Sequence, residues 1–179
     1  MTDDVVTKAA AFAKAAHESI DQRRKFTNEP YIVHPQAVAQ TVETVTDDAA
    51  TLAAAWLHDV VEDTAVSIQE IESEFGEDIA ALVADLTDVS QPCDGNRKQR
   101  KAIDRQHTAD SDPRAKTVKL ADVINNLSDI VRQDPGFAVN YLEEKELLLE
   151  VLCEGHPELF VRAQQVIAEA KHALVNSKP

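Results

Sequence analysis

The chain has 179 residues, 44% of them hydrophobic, which is enough to bury one substantial core. Its 18 lysine and arginine residues against 32 aspartate and glutamate residues give a formal net charge of −14, which argues against nucleic acid as a partner. No segment approaches the roughly 20 consecutive apolar residues of a membrane span, and the first residues lack the basic and apolar regions of a signal peptide. We therefore expect a cytoplasmic protein with no membrane partner.

Helix-forming residues dominate the first half of the chain, where apolar residues recur at helical spacing. Asp47 and Asp48 are expected to cap the helix that ends at His58-Asp59. Ser67 followed by Glu70 is typical of a capping box, and Gly76 is expected to end the helix that follows it. The predicted helices span about 4–20, 34–45, 48–59, 67–75 and 78–89.

The second half begins with the longest predicted loop, 90–96, which contains Pro, Asp, Gly and Asn. Four helices are predicted after it, over about 97–108, 113–134, 137–153 and 157–175. Cys93 and Cys153 match no metal-binding spacing and are given no role. With no convincing strand run, the sequence predicts an all-α protein whose residues 1–179 form a single domain, a helical bundle.

The end of the apolar run 53–57 carries the strongest functional signal. His58 and Asp59 present an imidazole and a carboxylate there, and Glu62 and Asp63 follow one turn later. Adding His34 from the upstream PYIVHP segment and Asp122 from KLADVINN gives two imidazoles and two carboxylates in all. Such a mixed set suits a six-coordinate divalent ion such as Mn, Fe or Ni, and it lacks the cysteines of a structural zinc site.

A metal of this kind makes hydroxide available near neutral pH, as the hydrolysis of a phosphate ester requires. Glu62 and Asp63 are then placed to position the water or move a proton, although both need not do so. His17, His107, His156 and His172 lack an adjacent carboxylate at the end of an apolar run, which favours surface or packing roles.

Basic residues form two islands in this acidic chain, 23–25 and 97–105. Each island either binds a small anion or forms a solvated surface. Asn126 lies on the same helical face as Asp122, where it either hydrogen-bonds a base or ribose or serves as a buried amide.

Six segments, in this order and at these separations, resemble the HD-domain alarmone hydrolases: RRK, PYIVHP, LHDVVEDT, FGEDIAALV, LTD and VKLADVINNL. That family includes the hydrolase half of bifunctional stringent-response enzymes and the small stand-alone hydrolases, among them the animal-type enzymes. The likeness covers roughly residues 5–150. It implies an all-helical HD domain that uses manganese (Mn²⁺) to remove the 3′-pyrophosphate of guanosine tetra- and pentaphosphate, releasing pyrophosphate and GDP or GTP.

The resemblance also implies a role for each matching position. The metal ligands would be His34, His58, Asp59 and Asp122, and the catalytic acidic pair Glu62 and Asp63. The substrate-binding residues would be Arg24, Lys25, Tyr31 and Asn126, joined by Arg97, Lys98 and Lys101 near the phosphates.

Four positions depart from the family pattern. Val123 and Asn125 stand where a basic residue and an aromatic residue or histidine are usual, and Tyr141 and Lys145 stand where animal-type enzymes carry arginine and tyrosine. No metal ligand is changed, but the choice of base stays open, so (p)ppApp is a candidate substrate beside (p)ppGpp. The small-molecule nucleotide is the expected partner, bound by a monomer or a homodimer.

Two other functions remain as alternatives. An HD-domain phosphohydrolase acting on another nucleotide, such as the 2′-phosphate of NADPH or a nucleoside monophosphate, would release free phosphate. A non-catalytic alarmone-binding module would bind nucleotide without turnover.

Overall fold

The computed structural model of the protein describes residues 2–25, 27–133 and 135–176. Within those ranges the regular elements are helices, apart from an isolated antiparallel bridge between Arg23 and Pro30. The predicted all-α class is therefore confirmed. None of the described helices is both long enough and apolar enough to cross a membrane.

The chain divides into two compact units, Met1–Asp88 and Val89–Pro179. That residues 1–179 make up one HD domain stays a prediction. The described residues of the first unit form six helices: α1 Thr2–Ser19, α2 Val33–Glu43, α3 Ala49–Leu57, α4 Val60–Asp63, α5 Ile68–Phe75 and α6 Glu77–Leu86.

Helix α3 forms the centre of the first unit, packing against α1, α2 and α6. Its residues Ala53, Ala54, Ala55 and Leu57 are completely buried. The run of alanines explains the arrangement, because small side chains let neighbouring helices approach closely while keeping high helix propensity. The end of α3 is consequently held in a fixed place.

Two of the predicted helix starts in this unit are confirmed by their N-cap hydrogen bonds. The Asp48 carboxylate accepts a hydrogen bond from the Thr51 backbone N–H at 2.9 Å, and the Ser67 hydroxyl accepts one from Glu70 N–H at 3.2 Å. Gly76, with φ of 88°, ends α5 in a conformation that side chains rarely adopt.

In the second unit, the part of the chain that the structure describes forms a short 3₁₀ turn and four longer helices: Pro92–Asp94, α7 Arg97–Ala109, α8 Pro113–Gln133, α9 Pro135–Leu149 and α10 Pro157–Asn176. Helix α10 packs against α8 and α9. The buried carboxylate of Asp104 accepts hydrogen bonds from the backbone N–H groups of Val89 and Ser90, at 3.1 and 2.9 Å. These bonds anchor the start of the predicted loop to α7.

Two predicted helix ends were too late. Helix α6 ends at Leu86 rather than near 89, because the backbone of Thr87 is extended and cannot continue the helix. Helix α9 ends at Leu149 rather than 153, and the chain turns through Gly155. A Cβ there would lie 2.7 Å from a Leu120 methyl carbon and 3.1 Å from the backbone carbonyl carbon of Lys116, so the close approach to α8 favours glycine.

Candidate metal centre

The HD pair lies where one helix stops and another begins. Helix α3 ends at Leu57 and α4 begins at Val60, so His58 and Asp59 occupy the junction. Asp59 has φ of −101° and ψ of −4°, in the sparsely populated region next to the α-helical one. The helix is therefore interrupted at His58 and Asp59. The buried residues of α3 fix the position of this break.

Three predicted ligands come together at this junction. Asp59 Oδ2 lies 3.0 Å from His58 Nε2 and 3.6 Å from His34 Nε2. The donor atoms of the three residues all lie within 4.8 Å of one another. Both imidazoles are 3% exposed and the carboxylate is 20% exposed, so the cluster is nearly buried while one side remains accessible.

The hydrogen bonds around the cluster fit a divalent ion. His58 Nδ1 lies 2.8 Å from the Ala55 carbonyl oxygen, which only accepts, so Nδ1 carries the proton. In the neutral ring, Nε2 then turns its lone pair toward the Asp59 oxygen. Such a pair of lone pairs is stabilised by a proton or a metal ion between them, and a histidine whose other nitrogen bonds a carbonyl is the usual form of a metal ligand.

Tyr31 supports the same carboxylate. Its hydroxyl donates to Asp59 Oδ2 at 2.7 Å, and its ring packs against that of His34 with centroids 5.9 Å apart. The resemblance assigns Tyr31 to the nucleotide, and that assignment stays a prediction. In this structure the hydroxyl orients a predicted metal ligand.

The predicted acidic pair lies on the short helix α4, and its members have different partners. Glu62 accepts a hydrogen bond from Asp88 N–H at 3.3 Å, whereas Asp63 accepts one from the Gln22 amide at 2.8 Å. Partial burial raises the pKa of Asp63 above its ordinary value, the Gln22 hydrogen bond opposes that rise, and the nearby Asp59 charge adds to it.

The predicted substrate-binding residues Arg24 and Lys25 lie on a loop after α1. The Arg24 backbone N–H donates to Glu29 at 2.9 Å, and its carbonyl accepts from Asn28 at 3.0 Å, which closes the loop. Arg24 is half-buried and Lys25 is exposed. Their predicted role as substrate-binding residues stays a prediction.

The remaining predicted site residues belong to the second unit. On α8, the Asn126 amide donates to the buried Asp122 carboxylate at 2.6 Å. Asn126 therefore holds the side chain of Asp122, one turn away on the same helix. Whether Asp122 is the fourth metal ligand stays a prediction.

The predicted phosphate-facing residues lie in the first two turns of α7. Arg97 forms a bidentate ion pair with Glu144 at 2.7 and 2.9 Å, and Lys101 lies 3.7 Å from Asp104. Lys98 is exposed. The charge of Arg97 is thus balanced by Glu144, and a phosphate would compete with that carboxylate.

The departures from the family pattern have structural reasons. Val123 is completely buried, which explains an apolar residue there, and the Asn125 amide donates to the Ala121 carbonyl at 2.8 Å. Burial raises the pKa of Tyr141, with the Asp122 charge adding to the rise, so its hydroxyl stays protonated at neutral pH. The Lys145 ammonium lies 4.8 Å from the centre of the Tyr141 ring.

Sequence reasoning did not identify two residues beside Asp63. His17 is 1% exposed, which agrees with the packing role of the two roles expected for it, and its Nδ1 lies 2.7 Å from the Gln22 side-chain oxygen. Helical spacing does place His17 on the buried face of α1, four residues after the buried Ala13. No sequence signal marked Gln22.

An all-helical fold in which a His-Asp pair at a helix junction meets a histidine from another helix is typical of HD-domain proteins. The HD-domain family model matches residues 9–145, and the chain belongs to that family.

Within the HD-domain family, the chain is similar to proteins named as 3′-pyrophosphohydrolases. The chain is 40% identical over 145 residues, 78% of each chain, to the guanosine-3′,5′-bis(diphosphate) 3′-pyrophosphohydrolase MESH1 of Xenopus tropicalis. It is 39% identical to the Homo sapiens MESH1 over 76% of each chain. A solved structure described as a metazoan ortholog of SpoT that hydrolyses ppGpp superposes with a TM-score of 0.81, at 29% identity, covering 92% of this chain and 94% of that one.

Proposed function

We propose that the protein hydrolyses the 3′-pyrophosphate of (p)ppGpp, (p)ppApp or both, releasing pyrophosphate and the nucleoside 5′-diphosphate or 5′-triphosphate. The observation that carries this proposal is the likeness to 3′-pyrophosphohydrolases over more than three quarters of both chains. The His34, His58 and Asp59 cluster, with two carboxylates on the next helix, supports phosphate-ester chemistry.

We propose Mn²⁺ as the metal and Asp122 as the fourth ligand beside the three clustered residues. Imidazole and carboxylate donors without thiolate suit Mn²⁺. When bound, such an ion supplies Lewis-acid chemistry, by neutralising phosphate charge and lowering the pKa of water.

The acidic pair on α4 has the residue type that proton transfer requires. In the reaction, a water oxygen bonds to the phosphorus attached to the 3′-oxygen, the bond between that phosphorus and the 3′-oxygen breaks, and the 3′-oxygen gains a proton. We assign Glu62 and Asp63 to this machinery, as acceptor of the water proton and as orienting group. Both carboxylates are exposed, and each accepts a hydrogen bond, Glu62 from the Asp88 backbone N–H and Asp63 from the Gln22 amide.

The proposed substrate is a highly charged anion, which an acidic protein binds through local positive charge. Arg24 and Lys25 on the loop after α1, and Arg97, Lys98 and Lys101 on α7, would bind the phosphates, with Tyr31 and Asn126 toward the nucleoside. The five basic residues among them belong to the two basic islands of the sequence, 23–25 and 97–105.

An assay of the purified protein with Mn²⁺ and ppGpp, ppApp or NADPH, with products resolved by anion exchange, tests the function. We expect pyrophosphate with GDP or ADP, and no turnover after chelation. Free phosphate from NADPH alone would favour the alternative phosphohydrolase, and nucleotide binding without any product would favour the binding module.

Variants of the acidic pair test the chemistry. Glu62→Gln and Asp63→Asn should each lower kcat by about 100-fold or more while leaving Mn²⁺ affinity unchanged, because neither carboxylate is a proposed ligand. Glu70→Gln is a matched control on α5, and it should retain wild-type kcat. Full activity in either variant of α4 would contradict the assignment.

A further inference from the structure

The side chain of Gln22 joins two groups that lie far apart in the sequence. Its amide nitrogen donates to Asp63 Oδ2 at 2.8 Å, and its amide oxygen lies 2.7 Å from His17 Nδ1. His17 is 1% exposed and belongs to α1, whereas Asp63 ends α4. A buried histidine and a proposed catalytic carboxylate are therefore connected through one amide.

The order of donors along this chain of groups is determined. Since the Gln22 nitrogen donates to a carboxylate, its oxygen faces His17, and an amide oxygen only accepts. His17 Nδ1 must then carry the proton. The reversed amide would turn its oxygen toward the Asp63 carboxylate and its nitrogen toward His17 Nδ1–H, so the carboxylate and the Nδ1–H form of His17 both favour the orientation in which Gln22 donates to Asp63.

The backbone of Gln22 is fixed at both ends. Its N–H donates to the His17 carbonyl at 3.1 Å, and its carbonyl accepts from Tyr31 N–H at 3.0 Å. The preceding Asp21 has φ of 46°, a left-handed conformation that aspartate tolerates better than most residues. The chain thus leaves α1 in a strained turn that presents the Gln22 side chain to Asp63.

The same segment holds a second carboxylate of the site. Tyr31, whose backbone is bonded to Gln22, donates its hydroxyl to Asp59 at 2.7 Å. The rings of His17 and Tyr31 also pack together, with centroids 4.8 Å apart. One segment, 17–31, therefore orients both a proposed metal ligand and a proposed catalytic acid.

We propose that Gln22 is a positioning residue for Asp63 and that His17 acts through it by fixing the direction of the Gln22 amide. This inference rests on the proposed function for its kinetic readout. It adds to the acidic pair two residues whose hydrogen bonds run to Asp63 and to each other.

A double-mutant cycle tests the inference through pyrophosphate release. Gln22→Ala should lower kcat by about 10- to 100-fold with little change in KM, as outer hydrogen-bond partners of active groups typically do. In an Asp63→Ala background, the same change should leave the residual kcat unaltered, because the group that Gln22 positions is already absent. An equal fold-loss in both backgrounds would overturn the proposal.

Two further variants separate positioning from folding. Gln22→Glu keeps the size of the side chain and an acceptor for His17 but removes the donor to Asp63, so it should lower kcat at least as much as Gln22→Ala. Ser19→Ala is the matched control at the end of α1. The Ser19 hydroxyl donates a hydrogen bond to the Ala16 carbonyl, within the same helix, and not to Asp63 or His17. Its kcat should equal that of the wild type.

The His17 tautomer gives a readout that does not need turnover. In ¹⁵N-resolved NMR spectra, the His17 ring should be in the Nδ1–H form in the wild type and should lose that preference in Gln22→Ala. An Nε2–H ring in the wild type would overturn the inference even if the protein hydrolysed no alarmone. An Nδ1–H ring without turnover of any alarmone would reject the proposed function and leave the hydrogen-bonded arrangement standing.

Discussion

In the first unit, Tyr31 reaches Asp59 across 28 residues of chain and Gln22 reaches Asp63 across 41, whereas in the second unit Asn126 bonds Asp122 only four residues away. Lys101 likewise lies near Asp104, three residues on. The polar residues of the first unit meet because a helix breaks and a loop returns, and those on α7 and α8 meet because a helix repeats every 3.6 residues. Local spacing therefore predicts the second kind of contact and not the first.

The contact between α7 and α9 is an exception within the second unit. Arg97 and Glu144 are 47 residues apart and form a bidentate pair. Nothing in the spacing of the basic island indicated that one of its members is already balanced by a carboxylate.

The largest effect is expected at Asp59, the proposed metal ligand of the first unit. Asp59→Asn should lower kcat/KM more than about 100-fold, because even the outer partners of metal ligands are worth 10- to 100-fold. Its carboxamide oxygen still accepts from Tyr31, so the lost property is the ligand charge. Calorimetric titration with Mn²⁺ and the pyrophosphate assay measure the loss.

Two matched substitutions sharpen that result. Asp48→Asn, at the other end of α3, should leave activity unchanged because asparagine caps a helix as well as aspartate does. Asp122→Asn keeps an acceptor for Asn126, so a loss of Mn²⁺ affinity there would support Asp122 as a ligand. Unchanged affinity would reject it and confine the metal site to the first unit.

The next effect tests a departure from the family pattern. Val123→Lys should lower the free energy of unfolding by about 3 kcal/mol, because it places a charge at a completely buried position. Val139→Lys is the control, at a side chain 45% exposed on α9, and should change stability by less than about 0.5 kcal/mol. Denaturant melts measure both, and equal stabilities would show that position 123 accommodates the basic residue usual in the family.

A smaller effect concerns the Tyr31 hydroxyl. Tyr31→Phe should weaken Mn²⁺ binding about tenfold, since it removes the hydrogen bond that orients Asp59. Measured affinity for Mn²⁺ and KM for ppGpp distinguish two roles. A raised KM with unchanged metal affinity would support the nucleotide contact predicted from the resemblance.

The smallest effect tests a purely local contact. The Asp112 carboxylate accepts hydrogen bonds from the side chain and backbone of Arg114, which lower the pKa of Asp112. Asp112→Ala should cost about 0.5 kcal/mol at pH 7, near the low end for a helix cap because this carboxylate is more than a third exposed.

The pH dependence of that cost follows from the sign of the shift. A carboxyl group whose pKa is lowered on folding stabilises the folded state above its unfolded pKa, and the stabilisation disappears as pH falls through the folded pKa. The difference in melting temperature between Asp112→Ala and the wild type should therefore shrink in acid. A difference that does not change with pH would show that the carboxylate charge contributes nothing.

Much of the fold followed from residue patterns, since caps and helix periodicity are local. Asp48 and Ser67 cap the helices they were expected to cap, and Gly76 ends α5. The ends of α6 and α9 were misplaced because residues outside those helices decide them: Asp104 takes up the backbone N–H groups after α6, and Gly155 packs against Leu120 after α9.

The sequence by itself determined the kind of chemistry, because the residue types at the end of the alanine-rich helix restrict the donors to imidazole and carboxylate. Tertiary structure decided which groups support them. The Tyr31 hydroxyl bonds Asp59, and His17 is linked to Asp63 through Gln22. Both arrangements depend on the strained turn at Asp21 and on the loop after it, which helical periodicity does not predict. A hydrogen bond requires its atoms within about 3 Å, and only the packing of α1, α3 and α4 brings residues so far apart in sequence to that distance.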